Sequence, residues 1–133
     1  KPKKPFLVMN SDIVTDVNYF GLLDFHKKNK SIGTMCLKDF SVEVPYGVVQ
    51  TNNNKILKIK EKPILTYKVN AGIYVLSPKA TNYIPSNEYF DMTELFEILI
   101  KNKHKTSAFP IFENWADIAN IEDLRKIDKF LKS

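Results

Sequence analysis

The chain has 133 residues, 44% of them hydrophobic, which suits one modest domain with a buried core. Its formal charge is +5, but Arg125 is the sole arginine, whereas base readout and bidentate phosphate clamping favour arginine, so nucleic-acid binding is set aside. No apolar stretch approaches the roughly 20 residues of a spanning helix, and the start KPKKP runs into a strand-like segment without a cleavage pattern; no membrane partner is expected, and the expected compartment is cytoplasmic.

The run PFLVMN at residues 5–10 reads as a continuous apolar strand, the pattern of a strand covered on both faces in a parallel sheet, and it ends at Ser11-Asp12. Over residues 18–29, Tyr19, Phe20, Leu22, Leu23 and Phe25 recur at helical spacing, with His26, Lys27 and Lys28 where cations suit the helix dipole. A second strand spans residues 32–37. There Cys36 is the single cysteine, unable to form an internal disulfide and expected to be a small buried hydrophobe.

Residues 46–51 and 56–60 flank Asn52-Asn53-Asn54, a residue type that tolerates left-handed backbone, and predict a hairpin. A further strand over residues 69–76 stops at Ser77-Pro78, and proline in the first turn then suits a short helix over 79–84. Asp91 followed by Glu94 has capping-box spacing ahead of Leu95, Phe96, Ile98 and Leu99. A strand over 105–112 follows, and Asn120 caps a last helix striped by Leu124, Ile127 and Leu131. Tyr19, Phe20, Phe25, Phe90 and Phe96 are expected in the core. His26 and His104, on Lys-rich helix ends without ligand spacing, are expected on the solvated surface. Strands alternating with helices indicate an α/β domain around a largely parallel sheet.

Five segments, taken in order, carry a resemblance: Asp12-Ile13, Pro45-Tyr46-Gly47, Glu61-Lys62-Pro63, Asn70-Ala71-Gly72 and Trp115-Ala116-Asp117-Ile118. Together they resemble the sugar-1-phosphate nucleotidyltransferases, most closely the mannose-1-phosphate guanylyltransferase-like branch. The resemblance implies a partial Rossmann-like nucleotidyltransferase fold with a mixed, mostly parallel sheet and flanking helices. Residues 1–133 would be the C-terminal, sugar-phosphate-binding portion of such a domain, because nothing in them resembles the glycine-rich nucleotide-binding loop with which these enzymes open. The implied reaction is attack of a sugar-1-phosphate oxygen on the α-phosphorus of a nucleoside triphosphate, giving an NDP-sugar and pyrophosphate. The isolated chain is expected to be inactive. A noncatalytic sugar-phosphate-binding, regulatory or assembly module derived from that family is the alternative.

By the same resemblance, Asp12 and Asp117 hold one catalytic Mg²⁺, for which hard carboxylate oxygens are suitable ligands. Read as residues alone, Asp12 also fits a turn cap and Asp117 a helper in capping the helix at Asn120. The family usually has glycine where this chain has Ser11 and Ala119. The resemblance gives Lys62 to the sugar phosphate as a point charge and Glu61 to sugar hydroxyls. Adjacent strand residues face opposite ways, so the two serve one ligand only if the strand bends near Pro63. Asn70 offers a donor and an acceptor to vicinal hydroxyls, Gly72 lets the sugar approach the backbone, and Tyr46-Gly47 resembles a sugar-contacting turn. A solvated charged pair and a hairpin corner remain the plain alternatives for Glu61-Lys62 and Tyr46-Gly47. If the strand at 5–10 is central in a complete enzyme, its bare edge favours a homo-oligomer.

Overall fold

The computed structural model describes residues 1–118, together with Arg125 and Asp128. The helix predicted from Asn120, with Leu124, Ile127 and Leu131, and the position Ala119 lie outside the described residues. The chain divides into two compact units: Lys1–Leu37 with the chain from Asn70 onward, and Lys38–Val69.

In the first unit, β1 (Phe6–Met9), the later part of β6 (Ile64–Leu76), the early part of β3 (Gly33–Glu43) and β7 (Thr106–Pro110) form a sheet in the order β1-β6-β3-β7. A separate ribbon pairs β2 (Ile13–Thr15) with β8 (Trp115–Asp117). β6 has the continuous apolar run that burial on both faces requires, with Ala71 through Leu76 all buried. Its residues feed two cores by strand alternation. Ile73 and Val75 pack with Leu22, Cys36 and Ile111, while Tyr74 and Leu76 pack with Leu95, Phe96 and Leu99.

The helices form where the sequence places them. α1 (Tyr19–Lys28) is capped by Asn18, whose Oδ1 accepts from Gly21 N at 2.9 Å. α2 (Met92–Lys101) begins with the Asp91/Glu94 capping box, in which Asp91 N donates to Glu94 Oε2 at 3.1 Å. Pro78–Tyr83 is a short 3-10 helix with proline in its first turn.

The α/β class and a mixed sheet with flanking helices agree with the sequence. The balance of directions differs, because β3 pairs with β7 in parallel but β1 pairs with β6 antiparallel. Among the described residues β1 is an edge strand, and Leu7 and Met9 remain 39% and 41% exposed. The run FLVM is apolar on its outward positions too, so hydrophobicity alone hides its one-sided burial. Phe20 is 87% exposed, a correction to its expected place in the core. Its neighbours Tyr19, Leu22 and Leu23 make the core contacts.

The second unit contains the remaining lengths of β3 and β6 and the hairpin of β4 (Val48–Asn52) with β5 (Lys55–Lys60). Asn53 takes φ 49° in the connecting turn, the left-handed conformation expected of that asparagine run. Ser41 meets Thr66 and Asp39 meets Lys68, the descending order of antiparallel neighbours. Apolar side chains on this unit stay outward, with Ile59 61% and Ile64 69% exposed.

Candidate active site

Asp117 stands opposite Ile13 in the β2–β8 register, and Ile118 N donates to Asp12 O at 2.8 Å. Asp12 and Asp117 therefore occupy neighbouring rungs of one ribbon, although 105 positions apart by number (117 − 12). Both residues are exposed. Asp12 belongs to the turn before β2, so the pleat does not force its side chain to the face opposite Asp117.

Two hydrogen bonds fasten this ribbon and the turn before it to Asn70-Ala71-Gly72, and a third braces that segment internally. Asn10 N donates to Gly72 O at 2.9 Å, Trp115 Nε1 donates to Ala71 O at 2.8 Å, and within the segment Gly72 N donates to Asn70 Oδ1 at 2.9 Å. Asn70 Nδ2 also donates to Tyr74 Oη at 2.8 Å. A carboxamide has two donors and two acceptor pairs, so one of each remains for a ligand hydroxyl. Gly72 has φ +71°, and a Cβ there would lie 2.8 Å from Asn10 Nδ2. Only glycine suits that backbone and that approach. Asn10, Tyr74 and Trp115 are supporting residues to which the sequence alone gives no role. Asn10 has one visible signal, a polar residue closing an apolar strand directly before Ser11-Asp12.

The second unit holds the other four candidates, and it also brings them together. Lys62 N donates to Tyr46 O at 3.3 Å, and the Gly47 α-carbon faces Glu61, where an added Cβ would meet Oε2 at 3.1 Å. Lys62 has φ 42°, a left-handed backbone directly before Pro63. That kink is the bend needed for Glu61 and Lys62 to depart from strict alternation. Tyr46, Gly47, Glu61 and Lys62 are all exposed.

Two exposed carboxylates on adjacent rungs suit Mg²⁺, which takes one or two carboxylates and fills its octahedron with water and phosphate oxygens. Among the described residues no cluster of three or more His, Cys, Asp or Glu offers an all-protein cage. The donor set therefore fits Mg²⁺ shared with a phosphate ligand better than a structural zinc site.

Both histidine expectations are corrected. His26 is 1% exposed, with Nδ1 2.8 Å from Thr34 Oγ1 and Nε2 2.9 Å from Ser77 Oγ. Burial lowers its pKa below the ordinary value of 6.5. It lies four residues after Leu22 on the inward face of α1, where its two ring nitrogens satisfy buried hydroxyls. His104 is half-buried and hydrogen-bonded to the Tyr83 hydroxyl, its ring edge-on to that tyrosine. Cys36 is buried as expected, and desolvation, with Glu113 adding to it, pushes its thiol up to about 12.

An α/β protein with a carboxylate pair beside a glycine-supported turn is the class defined by this fold and site. The family model for nucleotidyl transferases matches residues 1–133. The chain belongs to the nucleotidyl transferase family. It is 31% identical over 128 residues to a mannose-1-phosphate guanyltransferase of Candida albicans, covering 92% of this chain and 35% of that protein. It is 32% identical over 126 residues to a UTP–glucose-1-phosphate uridylyltransferase of Synechocystis, covering 89% and 32% respectively. The chain thus spans about a third of the length of these relatives. Among solved structures, HddC from Yersinia pseudotuberculosis shares the fold at a TM-score of 0.63 and 24% identity, over 96% of this chain and 56% of that one. A further structure of HddC, complexed with GMP-PN, matches at 0.61. Among the described residues, no helix is long and apolar enough to cross a membrane.

Proposed function

We propose that this chain is the sugar-phosphate-binding part of an enzyme that transfers a nucleotidyl group from a nucleoside triphosphate to a sugar 1-phosphate. The products are an NDP-sugar and pyrophosphate. The observation that carries this reading is the placement of Asp12 and Asp117 on adjacent rungs, tied through Asn10 and Trp115 to the Asn70-Ala71-Gly72 segment. The guanyl- and uridylyltransferase relatives support the substrate class.

The sugar phosphate oxygen attacks the α-phosphorus while pyrophosphate departs, so several anions must be held together. Asp12 and Asp117 would hold Mg²⁺, which when bound would supply charge neutralisation to the phosphates. Lys62 contributes a point charge to the sugar phosphate, and its left-handed backbone turns it away from the plain strand alternation. Glu61 accepts from sugar hydroxyls beside the Gly47 amide. Asn70 acts in two ways, stabilising the left-handed Gly72 through Oδ1 and presenting its remaining donor and acceptor to hydroxyls. The reaction is assigned to the cytoplasm. Assembly as a homo-oligomer is supported by the position of β1 at the sheet edge among the described residues and by the outward Leu7 and Met9.

Steady-state kinetics of the native protein carrying this chain, with each substrate varied in turn, test the assignment. Lys62→Ala should raise KM for the sugar 1-phosphate by about tenfold or more while that for the triphosphate changes less than about twofold. An effect confined to the triphosphate would remove Lys62 from the sugar side.

A further inference from the structure

A concavity of about 810 Å³ opens at the other end of β1 from Asn10 and Asp12. It lies where β1, β3 and β7 begin and β6 ends, as Pro5, Ile32, Lys105 and Ser77 on its wall show. Lys27, Lys30, Lys79 and Lys105 line it, and no Asp or Glu does so among the described residues. None of these four ammonium groups has a carboxylate partner among the described residues, in contrast to Lys28 with Asp24 and Lys68 with Asp39. The C-terminus of α1 also faces this end and carries roughly half a negative charge. Four unit positive charges exceed it severalfold.

The floor beneath these cations is polar but neutral. Ser77 Oγ donates to Ser31 O at 2.8 Å, so its proton is committed and it accepts from His26 Nε2–H at 2.9 Å. His26 Nδ1 then accepts from the Thr34 hydroxyl at 2.8 Å. This chain of bonds locks the last turn of α1, from which Lys27 projects and after which Lys30 takes φ 51°. On one side Tyr83 and His104 set their rings edge to face, 5.2 Å apart, as an aromatic wall.

We infer that this pocket binds a phosphate-bearing small molecule at a site separate from the Asp12/Asp117 site. Lysines converging on a concavity without carboxylates concentrate positive potential, and phosphate is the biological anion that point charges of this kind hold best. The volume falls in the range of roughly 300–1,000 Å³ typical of small-molecule sites and exceeds the needs of a lone phosphate. A phosphorylated organic molecule fits, its phosphates on the lysines and its body against Tyr83 and His104.

Calorimetric titration of the 133-residue chain at near-physiological salt tests this, with ADP, pyrophosphate, glucose 1-phosphate and inorganic phosphate as separate probes. At least one organic phosphate or pyrophosphate should bind with Kd below about 1 mM. The double variant Lys30→Ala/Lys105→Ala should weaken that binding by about tenfold or more, while Lys58→Ala/Lys60→Ala, a surface pair on β5, changes it less than about twofold. ADP binding more tightly than pyrophosphate would mean that the aromatic wall holds a base; the reverse order would mean that the lysines alone hold a bare diphosphate. Circular dichroism melts should show both double-lysine variants folded. Binding by none of the probes overturns the inference. So does equal weakening by the two lysine pairs, which indicates diffuse attraction, or loss of binding in Lys62→Ala instead, which moves the ligand to the candidate active site.

Discussion

Trp115 donates its indole N–H to the carbonyl oxygen of Ala71 at 2.8 Å, joining β8 to β6 between residues 44 positions apart. Ala71 is fully buried, so no water replaces that donor readily. Trp115→Phe keeps an aromatic ring and removes the bond, and should destabilise the chain by about 1–3 kcal/mol, the cost of a buried acceptor left unpaired. Urea unfolding monitored by circular dichroism reads the change. An unaltered midpoint would show that the bond does not hold the ribbon to the sheet.

Gly72 makes the same connection from the other side. Gly72→Ala combines a left-handed φ of +71° with a Cβ 2.8 Å from Asn10 Nδ2. The expected loss is about 1–3 kcal/mol, and Asn10→Ala in the same chain should recover part of it by removing the clash. At Gly47 the nearest atom to an added methyl group is the flexible end of Glu61, at 3.1 Å, so Gly47→Ala should cost less than Gly72→Ala in the same unfolding assay.

His26 gives the chain an acid-sensitive element. Its pKa in the folded chain is lowered by burial, so below 6.5 the unfolded chain binds a proton that the folded chain does not. The stability contributed by neutral His26 is complete above 6.5 and is lost progressively as pH falls from there toward the lowered value. An NMR titration of the imidazole should give a midpoint below that of an unfolded control. A midpoint at or above the control contradicts the buried, doubly bonded ring.

Much of the fold is legible in the sequence because it is local. The helical spacing over residues 18–29, the Asp91/Glu94 box and the Asn53 turn act within a few residues, and each forms as the sequence predicts. Strand direction is nonlocal: the run FLVM of β1 has no period that distinguishes an antiparallel edge from a covered parallel strand. His26 reads as surface because its neighbours are lysines, although its spacing of four from Leu22 puts it on the buried stripe. At the site, the motif residues fall into their two units together, while Asn10 and Tyr74 escape notice because their contacts to Gly72 and Asn70 depend on how the chain closes.

Cys36 should be inert in the folded chain, since a buried thiol with its pKa pushed up to about 12 has little thiolate at neutral pH. Ellman's reagent at pH 8 should label it at least about 100-fold more slowly in buffer than in denaturant. Labelling at equal rates would place the thiol in solvent. The linked stability effect has the opposite sign to that of His26: above about 9 the unfolded chain loses the proton first, so stability falls as pH rises toward 12.

Asp12 and Asp117, brought to adjacent rungs by β2 and β8, are proposed to hold the cation that serves nucleotidyl transfer. The direct measurement is Mg²⁺-dependent pyrophosphate release by the native protein carrying this chain, with a sugar 1-phosphate and a nucleoside triphosphate, for the wild type, Asp12→Asn and Asp117→Asn. Each variant should lose more than about 100-fold in turnover, since each removes a ligand charge from the metal. A loss below about threefold at both positions would contradict the metal role and leave the two aspartates as turn and cap residues.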